Sequence, residues 1–165
     1  VVVYSQDELS KCESEKIFGL FAEGHLPEAS KRGGVMQQYM LKALEQLDKN
    51  PNGFFMMLEG SRIDMEAHLN KYDAMVEETL DFDRCVAIAL DFAKRKGNTL
   101  VVVTADHETG GLTLPAKGSK TQDKWTTLNH TGVPVPIYSF GPGAENFTRV
   151  MQNTDIFFEI YKLMK

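Results

Sequence analysis

Cysteine is scarce in this 165-residue chain, with Cys12 and Cys85 its only two. Two thiols at that separation make neither a disulfide framework nor a zinc-binding cysteine motif. Cys85 falls inside a helical pattern and reads as a small buried apolar residue. Long apolar runs are absent, so no segment suits a bilayer span. Val1-Val2-Val3-Tyr4 has no basic segment before it and no cleavage site after it, and reads as a strand rather than a signal peptide. With no initiator methionine, the expectation is a chain that starts inside a longer protein. Excess positive charge is lacking too. The formal net charge of -5 disfavours non-specific binding to nucleic acid. The one basic run, Lys94-Arg95-Lys96, falls at a helix end, where cations meet the negative pole of the dipole. Repeats, low-complexity stretches and linkers are missing, so residues 1–165 read as a single α/β domain.

What is present is ordinary for a soluble globular domain, 42% hydrophobic and 25% charged, and long enough to bury a sizeable core. Val1 to Tyr4 and Lys16 to Phe21 suit strands. Ser5 before Gln6-Asp7-Glu8 suits a short helix with acids in its first turn. Met36, Met40, Ala43, Leu44 and Leu47 keep helical spacing from Val35 to Asp48, and Asn50-Pro51-Asn52-Gly53 stops that helix. Phe54-Phe55-Met56-Met57-Leu58 is a continuous apolar run, as in a parallel strand buried on both faces. Met75, Thr79, Phe82, Val86, Ala89 and Ala93 mark a long helix closed by Gly97-Asn98. Thr99 to Thr104 is the clearest strand, and Val133 to Phe140 another, with prolines suited to an edge or a strand start. Asn153-Thr154-Asp155 reads as the cap of a final amphipathic helix. This alternation predicts a three-layer α/β/α architecture with a largely parallel central sheet.

The acids and histidines fall where such a sheet would place a site. Glu59 ends one apolar run, with Asp64 and His68 close behind, and Asp106 and His107 follow another strand. Ligands in open α/β sheets bind beyond the carboxyl ends of the strands, and His130, in the loop before the next strand, reaches the same rim. Of the four histidines, only His25 falls outside the pattern. Asp64 and His68, four apart, share one helix face. A carboxylate oxygen and imidazole nitrogens are good zinc ligands, and with His130 they leave a tetrahedral ion one open position. Plainer readings stand beside this one: a solvated Asp-x-x-x-His helix face, a helix-capping Asp106, and Glu59 paired with Arg62.

Glu59-Gly60-Ser61-Arg62-Ile63-Asp64-Met65-Glu66-Ala67-His68 resembles the E-G-x-x-I-D-x-x-x-H segment of alkaline phosphatases. Thr104-Ala105-Asp106-His107-Glu108-Thr109-Gly110-Gly111 is similar to their T-A-D-H-x-x-G-G, and His130-Thr131-Gly132 to their H-T-G, in the same order. Weaker similarity runs through Gly19-Leu20-Phe21-Ala22 and from Gly141-Pro142-Gly143-Ala144-Glu145 into the last helix. The resemblance implies hydrolysis of phosphate monoesters through a covalent phosphoserine, with two Zn2+ and one Mg2+ in the full-length enzyme. It implies Asp64, His68 and His130 as ligands of the first zinc, Asp106 and His107 as two ligands of the second, and Glu59 as the carboxylate at the magnesium site. A homodimer and a periplasmic or extracellular location are also implied.

The resemblance is incomplete. No serine here follows an Asp and precedes an Ala, as the family's nucleophile does. An aspartate of the second zinc site, a threonine of the magnesium site and the phosphate-gripping arginine are missing as well. Only the first zinc site has all its protein ligands, and the expectation is a chain with negligible activity alone. The short stretch between Gly111 and His130 implies a reduced dimer-cap region. Two other readings are a phosphoglycerate mutase or sulfatase-like member of the same superfamily, and a non-catalytic metal-binding module.

Overall fold

Apolar residues at helical spacing form helices in the computed structural model, which describes residues 1–114 and 124–164. In chain order they are α1 (Gln6–Lys11), α2 (Ala29–Arg32), α3 (Val35–Leu47), α4 (Arg62–His68), α5 (Tyr72–Lys96) and α6 (Asn153–Leu163). The strands are short: β1 (Val2–Val3), β2 (Phe18–Gly19), β3 (Val101–Val103), β4 (Glu108–Thr109), β5 (His130–Thr131) and β6 (Tyr138–Phe140). The reading of a shortened stretch between Gly111 and His130 falls in part on residues 115–123, outside that description.

The caps follow from local chemistry. The Ser5 hydroxyl accepts the Glu8 N–H at the start of α1. Gly97 ends α5 in the left-handed conformation, φ 74°, where a residue without Cβ carries no steric cost. The last helix starts earlier than its expected cap, with Asn153 already its first residue. Gln152, still extended, is the N-cap, and its N–H donates to the Asp155 carboxylate.

The core lies between α3 and α5. Met36, Met40 and Leu44 of α3 pack with Cys85 and Phe92 of α5, each burial of a large apolar side chain contributing about 1.5–3 kcal/mol. Phe54, Met56 and Leu58 pack against the same cluster, while Phe55 and Met57 between them are 57% and 77% exposed. The apolar run is therefore extended but buried on one face, not both, and it pairs with no strand among the described residues. The helices behind it cover only that one side.

The α/β class holds, but the described pairings do not assemble a largely parallel sheet. β1 pairs with β2 in parallel, whereas β3 with β6 and β4 with β5 are antiparallel. Pro134 and Pro136 precede the β6 ladder, where a missing N–H does no harm.

The buried stripe of α5 holds Glu78, Asp81, Cys85, Phe92 and Ala93, sharing Ala93 alone with the apolar spacing that marked the helix. The carboxylates are tolerated because Arg32 lies between them, 2.6 Å from Glu78 and 2.7 Å from Asp81. Arg62 reaches Glu78 at 3.3 Å and Glu66 at 2.7 Å, and the Gln37 amide donates to Asp81 at 2.9 Å. Arg62 and Glu66 belong to α4. Residues two apart on a helix are turned about 200° from one another, so this clamp leaves Asp64 and His68 on the opposite face.

Candidate metal centre

Two elements meet at the open face of α4. Asp64 and His68 stand one turn apart on it, and the β4–β5 pair sets Thr109 opposite His130. Gly110 permits the approach. Its φ is 90°, and a Cβ there would lie 2.5 Å from the Trp125 ring and 3.2 Å from the Ala67 carbonyl of α4. The Glu108 carboxylate locks the turn by accepting the Gly111 N–H at 2.9 Å and the Thr131 hydroxyl.

The converging atoms form a small triangle. His68 Nε2 is 3.1 Å from His130 Nε2 and 3.4 Å from Asp64 Oδ1, and His130 Nε2 is 3.5 Å from that oxygen. These three side chains are a group able to hold a metal ion, their ligand atoms lying within 4.8 Å of one another. Ligand atoms around a tetrahedral zinc at ~2.0–2.1 Å lie roughly 3.3 Å apart, so the spacing fits.

Hydrogen-bond accounting agrees. His68 Nδ1 is 2.5 Å from the Leu128 carbonyl oxygen. A carbonyl only accepts, so a neutral His68 carries its proton on Nδ1 and turns a bare Nε2 into the triangle. A backbone carbonyl behind the ring is also the support that metal-binding histidines typically have.

His107 joins the same run of contacts. Its ring stacks on His130 with centroids 3.5 Å apart, and its Nε2 is 3.2 Å from Asp106 Oδ2, another separation fit for two ligands of one ion. Asp106 itself is exposed. Glu59 stands apart, exposed and with no hydrogen bond or ion pair among the described residues. It does not pair with Arg62, which is engaged by Glu66 and Glu78. His25 is exposed in the loop before α2.

The residue that sequence reasoning missed is Thr109. Its hydroxyl is 2.5 Å from Asp64 Oδ1 and 3.2 Å from His107 Nδ1. A signal existed: His107 and Thr109 are two apart in an extended segment and so share a face.

Residues 2–120 match the sequence family described as alkaline phosphatase. The chain is 29% identical to alkaline phosphatase 4 of Bacillus subtilis (strain 168), over 99% of its own length and 51% of the relative's. It is 33% identical to alkaline phosphatase H of Pseudomonas aeruginosa (strain UCBPP-PA14), over 99% of its length and 44% of that protein's. A solved variant of the alkaline phosphatase of the Antarctic bacterium TAB5, with magnesium bound in its M3 site, superposes with a TM-score of 0.90. It shares 35% identity, over 99% of this chain and 52% of that one. The chain thus spans about half the length of the curated relatives it matches.

Proposed function

Because the chain belongs to the alkaline phosphatase family, we propose that it is the metal-holding portion of a phosphate monoester hydrolase, with Asp64, His68 and His130 the ligands of one zinc. The observation that carries this is the triangle of 3.1, 3.4 and 3.5 Å between their ligand atoms.

Asp106 and His107 supply two ligands of a second zinc, and Glu59 the carboxylate of a magnesium site. The magnesium in the solved relative's M3 site is consistent with a third metal position. Two divalent cations held at such a site stabilise the charge that grows on the attacking and departing oxygens of a phosphoryl displacement. The chain's own contribution is orientation. The clamp on one face of α4 fixes the helix, the Leu128 carbonyl turns His68, and the exposure of Asp106 and His130 leaves the site open to a phosphate ester.

The serine nucleophile and the phosphate-gripping arginine belong to a part of the longer protein other than these 165 residues. Among the described residues, the hydroxyl in contact with the proposed ligands is that of Thr109, already engaged with Asp64. By itself the chain therefore hydrolyses phosphate monoesters negligibly. In the longer protein the three-layer α/β/α architecture is completed by strands over the face that presents Phe55 and Met57. No helix among the described residues is long and apolar enough to cross a membrane; a homodimer and a periplasmic or extracellular location complete the reading.

Calorimetric zinc titration tests it. One tight site is expected, lost in both His68→Ala and His130→Ala; no binding, or binding indifferent to both changes, would refute the assignment. Normal turnover of p-nitrophenyl phosphate by the chain alone would refute its inactivity.

A further inference from the structure

The Thr109 hydroxyl touches one residue from each proposed zinc site. Its oxygen lies 2.5 Å from Asp64 Oδ1 and 3.2 Å from His107 Nδ1. An ionised carboxylate only accepts, so the contact to Asp64 uses the hydroxyl's one proton. The oxygen is then left to accept, and the proton facing it sits on His107 Nδ1. The direction of donation runs from His107 to Thr109 to Asp64.

We propose that Thr109 is a positioning residue joining the two ligand sets: one hydroxyl holds the Asp64 carboxylate in its ligating orientation and fixes His107 in the tautomer that frees Nε2. The inference rests on the metal reading above and extends it to a residue that binds no metal. With Nδ1 protonated, His107 Nε2 presents a lone pair to Asp106 Oδ2 at 3.2 Å. Two facing lone pairs at that distance repel unless a cation or a proton stands between them. Thr109 thus does for His107 what the Leu128 carbonyl does for His68.

Three features make Thr109 suited to this. Its β-branched side chain is stiff about χ1, so the hydroxyl is held rather than sampled. Its backbone is registered against His130 in the β4–β5 pair, which ties the position of the hydroxyl to a ligand of the first site. The bare Gly110 beside it brings β4 against α4. Asp64 is only half-buried, and without the hydroxyl its carboxylate would turn towards water.

The test compares Thr109→Val, which keeps the branched shape and loses the hydroxyl, with Thr109→Ser, which keeps the hydroxyl. By calorimetry, Thr109→Val is expected to raise the zinc Kd about 10–100-fold, the usual cost of removing a supporting contact, and Thr109→Ser to keep the wild-type value. Nitrogen-15 NMR of the metal-free chain at mildly alkaline pH is expected to find the His107 proton on Nδ1 in the wild type and in Thr109→Ser, but not in Thr109→Val. Zinc binding by Thr109→Val as tight as wild type, or a wild-type His107 protonated on Nε2, overturns the proposal. A wild-type chain that binds no zinc would sink the metal reading alone, and the tautomer would still decide the part played by Thr109. Should Thr109→Val fail to fold, the wild-type tautomer and the Thr109→Ser titration decide it.

Discussion

On one face of α4, Arg62 and Glu66 enter a buried network with Arg32, Glu78 and Asp81, in which each charged group meets an opposite one at 3.3 Å or less. On the other face, Asp64 and His68 turn acceptor atoms towards His130, with no Lys or Arg beside them among the described residues. Both regions are dense in charge. The first is closed: the side chains of Arg32, Glu78 and Asp81 are exposed by only 3%, 3% and 2%, and their charges are neutralised within the chain. The second is open to solvent and has no Lys or Arg partner among the described residues. The first rigidifies; the second is a group with the spacing to hold a cation. One seven-residue helix separates them, so the rigidity of one face sets the precision of the other.

The largest effect should come from breaking the closed face. Arg32→Met leaves Glu78 and Asp81 without their shared cation and should cost about 3–5 kcal/mol of stability, read as a fall in the urea midpoint. A loss below about 1 kcal/mol would mean that the network is incidental. Loss of a ligand on the open face should separate function from stability. His130→Ala should weaken zinc binding by more than the ~100-fold that a supporting contact is worth, yet shift the metal-free urea midpoint within the range of about 0.5 kcal/mol typical of surface changes. Equal damage to both readouts would erase the distinction drawn here.

Acid should act on the closed face as well. Burial alone would raise the Asp81 pKa, but hydrogen bonds from Gln37 and Arg32 and the guanidinium charge outweigh it, and the net shift is downward. A carboxyl lowered on folding stabilises the native state above its unfolded pKa, and that stability is lost as pH falls through the folded pKa. The wild type should therefore lose stability below the ordinary carboxylate range, and Asp81→Asn should show a shallower acid limb. Identical acid limbs in urea titrations would contradict this. The smallest effect concerns the extended segment. Phe55→Ser, on its exposed face, should change stability by no more than about 0.5 kcal/mol, whereas Phe54→Ala, against the core, should cost clearly more. Equal costs would show that both faces are buried.

Much of this was legible from residue order. Helical spacing located α3 and α5, Gly97 the end of α5, and the I-D-x-x-x-H, D-H and H-T-G segments the residues Asp64, His68, His107 and His130 that come together. What stayed hidden has physical causes. The burial of Glu78 and Asp81 went unread because nothing local announces that Arg32, more than 40 residues earlier, neutralises them. The run from Phe54 to Leu58 looks the same whether one face or two are covered, since apolar identity does not record what lies opposite. Thr109 was passed over because its role depends on a hydrogen bond across 45 residues. Glu59 was legible as a motif member, yet the described residues give it no contact with the rest of the site.

The most direct measurement is a crystal structure of the zinc-soaked chain with anomalous data at the zinc edge. The account predicts a peak at about 2.0–2.1 Å from His68 Nε2, His130 Nε2 and Asp64 Oδ1. A zinc peak held elsewhere, or a triangle that stays metal-free at saturating zinc, would contradict it.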